Sequence, residues 1–153
     1  MARETIRREA AVRACMARFD GKELRYGAAD CVRLVGHSMH KLGVGTPLLK
    51  GVRYRSEWGA AKALKGLGFA DLAEAVDALG FVRIGAAMAW PGDIIAGPSR
   101  EDGPFRVALS VAHEYGAVRT LAFGPTPDGR VICGVGKPDL SHPDVIAWRV
   151  AHG

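Results

Sequence analysis

The sequence predicts an α+β fold in which N-terminal helices pack on a C-terminal antiparallel β-sheet. Helical periodicity dominates residues 1–80, whereas residues 81–153 consist mainly of short β-branched segments separated by glycine, proline or aspartate. Helices followed by strands are typical of this class. Neither an internal repeat nor a linker divides the chain. We therefore expect one domain over residues 1–153, a length that suits a single hydrophobic core.

The first two predicted helices cover residues 5–19 and 31–42, where apolar side chains recur on one face. Asp30 is placed to cap the second helix, and Cys31 begins the stripe that packs on the core. The Cys31 thiol would thus lie near the positive end of the helix dipole, where reactive cysteines are found. The alternative is an ordinary buried thiol.

Two shorter helices are predicted before the strands begin. Ser56 can cap a helix that continues through Leu64, and Asp71 with Glu74 forms a capping-box pattern that opens a helix through Leu79. The chain then changes character at residue 81, and a Pro-Gly-Asp turn precedes the first apolar run. The predicted strands are residues 94–96, 105–112, 117–123, 130–135 and 145–150.

Composition and charge exclude several classes of protein. The chain is 48% hydrophobic and 24% charged, which is ordinary globular usage and argues against disorder. It has no run of about 18 apolar residues and no apolar core of a secretory signal near its start, so we expect no membrane insertion. The net charge of +5 would allow an acidic partner. However, the N-terminal arginines alternate with acidic residues as on a solvated helix face, so we expect no nucleic-acid partner.

The cysteines and histidines do not suggest a metal or disulfide site. Cys15, Cys31 and Cys133 are odd in number and widely spaced, so we expect them to stay reduced. His37 and His40 have the i, i+3 spacing of a metal pair but lack a third ligand nearby. We expect no metal and no cofactor.

Three motifs follow one another in an order that spans nearly the whole chain. They are Tyr-Gly-x-x-Asp-Cys at 26–31, Pro-Gly-Asp at 91–93 before two isoleucines, and Ala-Trp-Arg-Val at 147–150. This order resembles the NlpC/p60 group of papain-like cysteine peptidases, and more closely a branch found in the tail modules of bacteriophages and prophages. In that group a cysteine follows an aspartate and starts a helix, and the substrate is a peptide or amide bond of peptidoglycan.

The resemblance implies that Cys31 is the nucleophile and that a histidine begins the strand after the Pro-Gly-Asp strand. Arg106 occupies that position in this sequence. An arginine does not accept a proton at neutral pH, although it could hold Cys31 as a thiolate or bind a carboxylate. The third catalytic position would lie in strand 117–123, where Arg119 and Thr120 are the polar residues. Neither can orient an imidazole that is absent.

The other histidines offer little as substitutes for the missing base. His113 lies at the far end of the strand, and His37 faces another side of the helix that Cys31 begins. His142 lies in the loop before the last strand and is the only substitute that stays open, while His152 is at the terminus.

Two functional hypotheses from different classes follow. The first, which we prefer, is a structural or assembly component of a phage-type tail tip or hub, on a papain-like scaffold without hydrolase activity. It would bind neighbouring tail proteins, assemble in the host cytoplasm and reside in the virion tail. The alternative is a cysteine amidase or endopeptidase acting on peptidoglycan, which requires a base beside Cys31. An acyl-transfer enzyme of the same superfamily would need the same base.

Overall fold

The α-helices lie in the N-terminal half, as the sequence predicts. A computed structural model describes residues 2–45, 48–49 and 51–151. Within these ranges the α-helices are α1 (Ala2–Phe19), α2 (Cys31–Lys41), α3 (Glu57–Gly66) and α4 (Leu72–Asp77). Not one of them combines the length and the apolar content needed to cross a bilayer.

The C-terminal half forms one antiparallel sheet, which confirms the α+β prediction. Its strands are β1 (Val82–Ile84), β2 (Ile94–Pro98), β3 (Val107–Ala112), β4 (Thr120–Pro125), β5 (Val131–Gly136) and β6 (Ile146–Arg149). They are arranged in the order β1-β6-β2-β3-β4-β5. Short 3₁₀ helices at Ala86–Met88 and Tyr115–Ala117 connect some of them.

The sheet departs from the predicted meander at its β1 edge. Strands β2 to β5 are neighbours in chain order, but β6 returns to lie between β1 and β2, where Trp148 is opposite Ile94. Strand β1 was not predicted from the sequence. It has only three residues, and Val82 and Arg83 are both exposed, so it shows no alternation of apolar and polar side chains.

The ends of the shorter helices agree with the predicted caps. The side chains of Ser56 and Asp71 each accept a hydrogen bond from the backbone N–H of the residue three positions later in the chain, at 3.0 and 2.9 Å. Helix α4, however, ends at Asp77, before the expected Leu79. The Asp77 carboxylate accepts a hydrogen bond from the Trp148 indole (2.8 Å) and pairs with Arg83, so the chain turns there toward β1.

Alternate residues of the central strands pack on opposite faces of the sheet. Val107, Leu109 and Val111 of β3 are buried in the main core together with side chains of α1 and α2. A smaller cluster, which includes Ile95 and Ala147, lies on the other face. The Cys31 end of α2 therefore belongs to the helical face of the sheet.

A buried ion-pair network connects α1 with the Pro-Gly-Asp turn and the end of β6. Asp93 is fully buried and Arg8 is 1% exposed. The Asp93 carboxylate pairs with Arg8 (2.9 Å) and Arg149 (2.8 Å), and it also accepts backbone N–H bonds from Trp90 and Val150. Because Asp93 in its turn binds Arg8 of α1 and both Arg149 and Val150 at the end of β6, this aspartate holds distant parts of the chain together.

Candidate functional site

The turn before α2 has a fixed shape that depends on Gly27. Arg25 and Ala29 exchange two backbone hydrogen bonds of 2.8 Å across the turn. Gly27 has φ +88°, and a Cβ at this position would collide with the carbonyl oxygen of Tyr54. Both the left-handed conformation and the close approach of the backbone therefore require glycine.

Asp30 caps α2, as the sequence predicts. One carboxylate oxygen accepts the Arg33 N–H (2.9 Å), and the other accepts the Gly27 N–H (2.8 Å) and the Tyr54 hydroxyl (2.8 Å). Asp30 is 2% exposed, and it forms no ion pair with any residue that the structure describes. Its charge is thus stabilised by neutral donors alone.

Cys31 begins α2 and faces a cavity of about 240 Å³ between the helices and the sheet. Most of the cavity wall is apolar, formed by residues that include Leu24, Leu72, Phe105, Val107, Leu109 and Phe123. Cys31 itself is partly exposed, unlike the buried Cys15 and Cys133. It is therefore the cysteine that a small molecule can approach through this cavity.

The surroundings of Cys31 favour the neutral thiol. Burial raises the pKa of Cys31 to about 11, and the negative charge of Asp30 acts in the same direction. Backbone groups of Leu109, Cys31 and Val32 lower the pKa, which includes the expected effect of the helix N-terminus, but they do not outweigh burial. At neutral pH the side chain is a thiol and not a thiolate.

A small polar cluster forms one side of the same cavity. The Tyr26 hydroxyl donates to Glu57 (3.2 Å), and Glu57 forms an ion pair with Arg100. Burial and the Glu57 carboxylate raise the pKa of Tyr26 to about 12. Glu57 and Arg100 were not predicted as site residues from the sequence. They are 43 residues apart, and neither a glutamate at a helix start nor an arginine in a loop indicates that the two are in contact.

Arg106 does not line the Cys31 cavity. Its guanidinium binds the carboxylates of Asp71 (3.0 Å) and Asp144 (3.2 Å), so carboxylate binding is the role that the structure shows. The residues of β3 that line the cavity are Val107, Ala108 and Leu109. None of them can accept a proton.

The structure does not bring His142 to Cys31. The His142 Nδ1 accepts the backbone N–H of Asp144 (3.1 Å). Leu140 and Val145 on either side of it pack on the small cluster, across the sheet from α2. Among the residues that the structure describes, no histidine lines the Cys31 cavity, and His152 lies outside the described residues.

The remaining histidines have other surroundings. His37 contacts α1 through Arg18 (3.2 Å to Nδ1) and packs edge-on against Phe19. The His113 Nδ1 is buried without a hydrogen-bond partner in the described part of the chain. Over the same ranges no three His, Cys, Asp or Glu side chains are placed to hold a metal ion.

The two polar residues considered for a third catalytic position are also away from the cavity. Arg119 pairs with Glu114 (2.8 Å) on the surface, and Thr120 is 4% exposed at the start of β4. Neither is among the residues that line the Cys31 cavity. The polar groups of the site are therefore the Cys31 thiol, the Asp30 carboxylate, the Ser99 hydroxyl, two tyrosines and the Glu57–Arg100 pair, around an apolar space.

Comparison with known families covers most of the chain. Residues 4–137 match the family described as a domain of unknown function, DUF6950. No match is found among curated proteins or among solved structures. Because the match includes α1 to β5 and both sides of the Cys31 cavity, the chain belongs to the DUF6950 family.

Proposed function

We propose that the chain is a papain-like domain of the NlpC/p60 type that acts as a structural or assembly component of a phage-type tail, at the tail tip or hub. One observation carries the non-enzymatic part of this proposal: the Cys31 thiol faces a cavity in which the described residues supply no histidine. The tail setting rests on the resemblance in motif order along the sequence.

Several features support a papain-like scaffold. Helix α2 begins at Cys31, is capped by Asp30 and packs on the sheet at β3. The Pro-Gly-Asp turn leads directly into β2, the neighbour of β3. A cysteine at a helix N-terminus beside an antiparallel sheet is the arrangement that the resemblance implies.

The chemistry of the cavity supports binding over hydrolysis. With a pKa of about 11, roughly one Cys31 side chain in ten thousand is ionised at pH 7. A thiol hydrolase needs a base within hydrogen-bond reach that forms the thiolate and later protonates the leaving group. Glu57 is held by Tyr26 and Arg100, and Tyr26 has a pKa of about 12, so neither group is suited to that role.

Trp58 is suited to anchor a neighbouring tail protein. Its side chain is 66% exposed at the start of α3, whereas Tyr54 is 7% exposed and Trp90 is 36% exposed. Tryptophan is enriched among the few residues that dominate the binding energy of interfaces. The alternative, a cysteine amidase, is favoured by the access of Cys31 to the cavity.

The first test measures turnover. Purified protein and a Cys31→Ala variant are incubated with peptidoglycan, and soluble fragments are separated by chromatography. The proposal predicts that neither releases fragments above the blank, because no base activates the thiol. Release by the native protein that Cys31→Ala abolishes would contradict the proposal and establish the amidase alternative.

The second test concerns assembly. Deleting the gene from the phage or prophage that carries it should give incomplete or non-infective tails in electron micrographs. Complementation with Cys31→Ala should restore infective particles, since the proposed role needs the scaffold and not the thiol. Normal particles without the gene would contradict the tail assignment.

A further inference from the structure

A second recess lies beside the Cys31 cavity and is lined by arginines. It has a volume of about 840 Å³. Its wall includes Arg25, Arg33, Arg53, Arg55, Tyr26 and Tyr54. Only the two tyrosines also line the Cys31 cavity, so the arginine recess is a separate site on the other side of these rings.

Two short segments and the first turn of α2 build the arginine recess. Tyr54 is buried with its hydroxyl on Asp30, and its neighbours Arg53 and Arg55 are exposed and line the recess. Arg25 lies in the turn shaped by Gly27. Arg33 comes from α2, where the Asp30 cap fixes its backbone.

The four arginines of the recess all lack a carboxylate partner among the residues that the structure describes, as do a few arginines of α1 such as Arg3 and Arg13. None of them forms an ion pair with a residue in the described ranges, whereas arginines elsewhere, such as Arg8, Arg100 and Arg106, do. The nearby Asp30 carboxylate is already bonded to two backbone N–H groups and the Tyr54 hydroxyl. Four like charges around one recess repel each other and create a strong positive potential there.

Arg33 supplies a second, independent observation. Its guanidinium lies 5.6 Å from the centre of the Tyr54 ring and donates to the Val52 carbonyl (3.2 Å). Its Nε is buried and has no hydrogen-bond partner in the described part of the chain. A buried charged donor without an acceptor is unfavourable. An anion in the recess would stabilise the Arg33 guanidinium charge, whereas the Nε itself is closed to solvent and would need a side-chain shift to reach that anion.

We propose that the arginine recess binds a small ligand through a phosphate-type oxyanion with two or more negative charges, such as a pyrophosphate group. Guanidinium groups form bidentate, charge-assisted bonds with phosphate oxygens. The volume is that of a small-molecule site. The arginines converge on one recess and do not form a stripe along the surface, which favours a compact ligand over a nucleic-acid backbone.

Isothermal titration calorimetry with pyrophosphate, at constant ionic strength, tests this site. The native protein should show saturable binding. The double variant Arg53→Gln/Arg55→Gln should bind about tenfold more weakly or worse, because two charge-assisted contacts are lost. The matched control is Arg3→Gln/Arg13→Gln, which removes the same charge from exposed positions of α1 and should change affinity less than about twofold.

Three outcomes would overturn the proposal. One is the absence of saturable pyrophosphate binding by the native protein. Another is an equal loss in both double variants, which would indicate attraction by net charge alone. The third is displacement of pyrophosphate by a single-stranded oligonucleotide at far lower concentration, which would identify a polymer as the ligand.

Arg33→Lys, which keeps the charge and removes the guanidinium fork, should also weaken binding while thermal unfolding shows a folded protein.

Discussion

Asp30 and Asp93 occupy similar turns in two of the three sequence motifs, at 26–31 and 91–93. Each is buried, and each accepts the backbone N–H three residues earlier at 2.8 Å, from Gly27 and from Trp90. A glycine with φ +88° lies in both turns, at Gly27 and at Gly92. The same local arrangement of a carboxylate and a left-handed glycine thus shapes both turns.

The two aspartates differ in what compensates their charge. Asp93 pairs with Arg8 and Arg149 from the two ends of the chain, whereas Asp30 has only neutral donors, and its negative charge raises the pKa of Cys31. Asp93 therefore stabilises the fold as a whole. Asp30 shapes a cavity and adds to the burial that keeps the adjacent thiol neutral, which is the opposite of activating a nucleophile.

The largest effect is expected at Asp93. Asp93→Asn removes the buried carboxylate that Arg8 and Arg149 share and leaves the buried Arg8 only the half-exposed Glu4 as a charged partner, so the free energy of unfolding should fall by about 3–5 kcal/mol. Denaturant titration measures the change. Asp128→Asn is the matched control, since Asp128 forms its ion pair with Arg130 on an exposed hairpin, and it should leave the free energy of unfolding within error. Equal effects would refute the structural role of the Asp93 network.

The two glycines provide the next comparison. Gly27→Ala should lower the free energy of unfolding by about 2–4 kcal/mol, because the left-handed conformation is strained and the new Cβ meets the rigid Tyr54 backbone. Gly92→Ala should cost about 1–2 kcal/mol, because its Cβ meets only the flexible end of the Leu42 side chain. Thermal or denaturant unfolding of both variants checks the order. A larger loss for Gly92→Ala would contradict the close packing at Gly27.

The smallest effect on stability is expected at Asp30. Asp30→Asn keeps an oxygen that can cap α2 and leaves no buried cation unpaired, so the free energy of unfolding should fall by about 1 kcal/mol. Tyr54→Phe, which removes one hydrogen bond to the same carboxylate, should cost a similar amount. If Asp30→Asn destabilised the protein as strongly as Asp93→Asn, the distinction between the two aspartates would fail.

Of the two aspartates, the role of Asp30 was predictable from the sequence and that of Asp93 was not. A helix cap involves residues within three positions, so Asp30, Ser56 and Asp71 could be assigned from spacing alone. The Pro-Gly-Asp turn was predicted too, but its partner Arg8 is 85 residues away. An arginine in an amphipathic helix carries no mark that it is buried, so the network of Asp93 could not be foreseen.

The candidate site was predictable in part for the same reason. Cys31 and its position at the start of α2 followed from the motif, whereas Glu57 and Arg100 reach the cavity only through tertiary packing. Arg106 could be placed at the start of β3 from the sequence. Its carboxylate partners Asp71 and Asp144 come from segments on either side in the chain and became evident only in the folded structure.

The ionisation of Cys31 tests the central claim most directly. The rate of iodoacetamide alkylation is followed against pH by mass spectrometry of the Cys31 peptide, which separates it from Cys15 and Cys133. The account predicts a rate that rises through pH 9 and 10 with a midpoint near the pKa of about 11, and a lower midpoint in Asp30→Asn. A midpoint below about pH 8 in the native protein would show an activated thiolate and contradict the account.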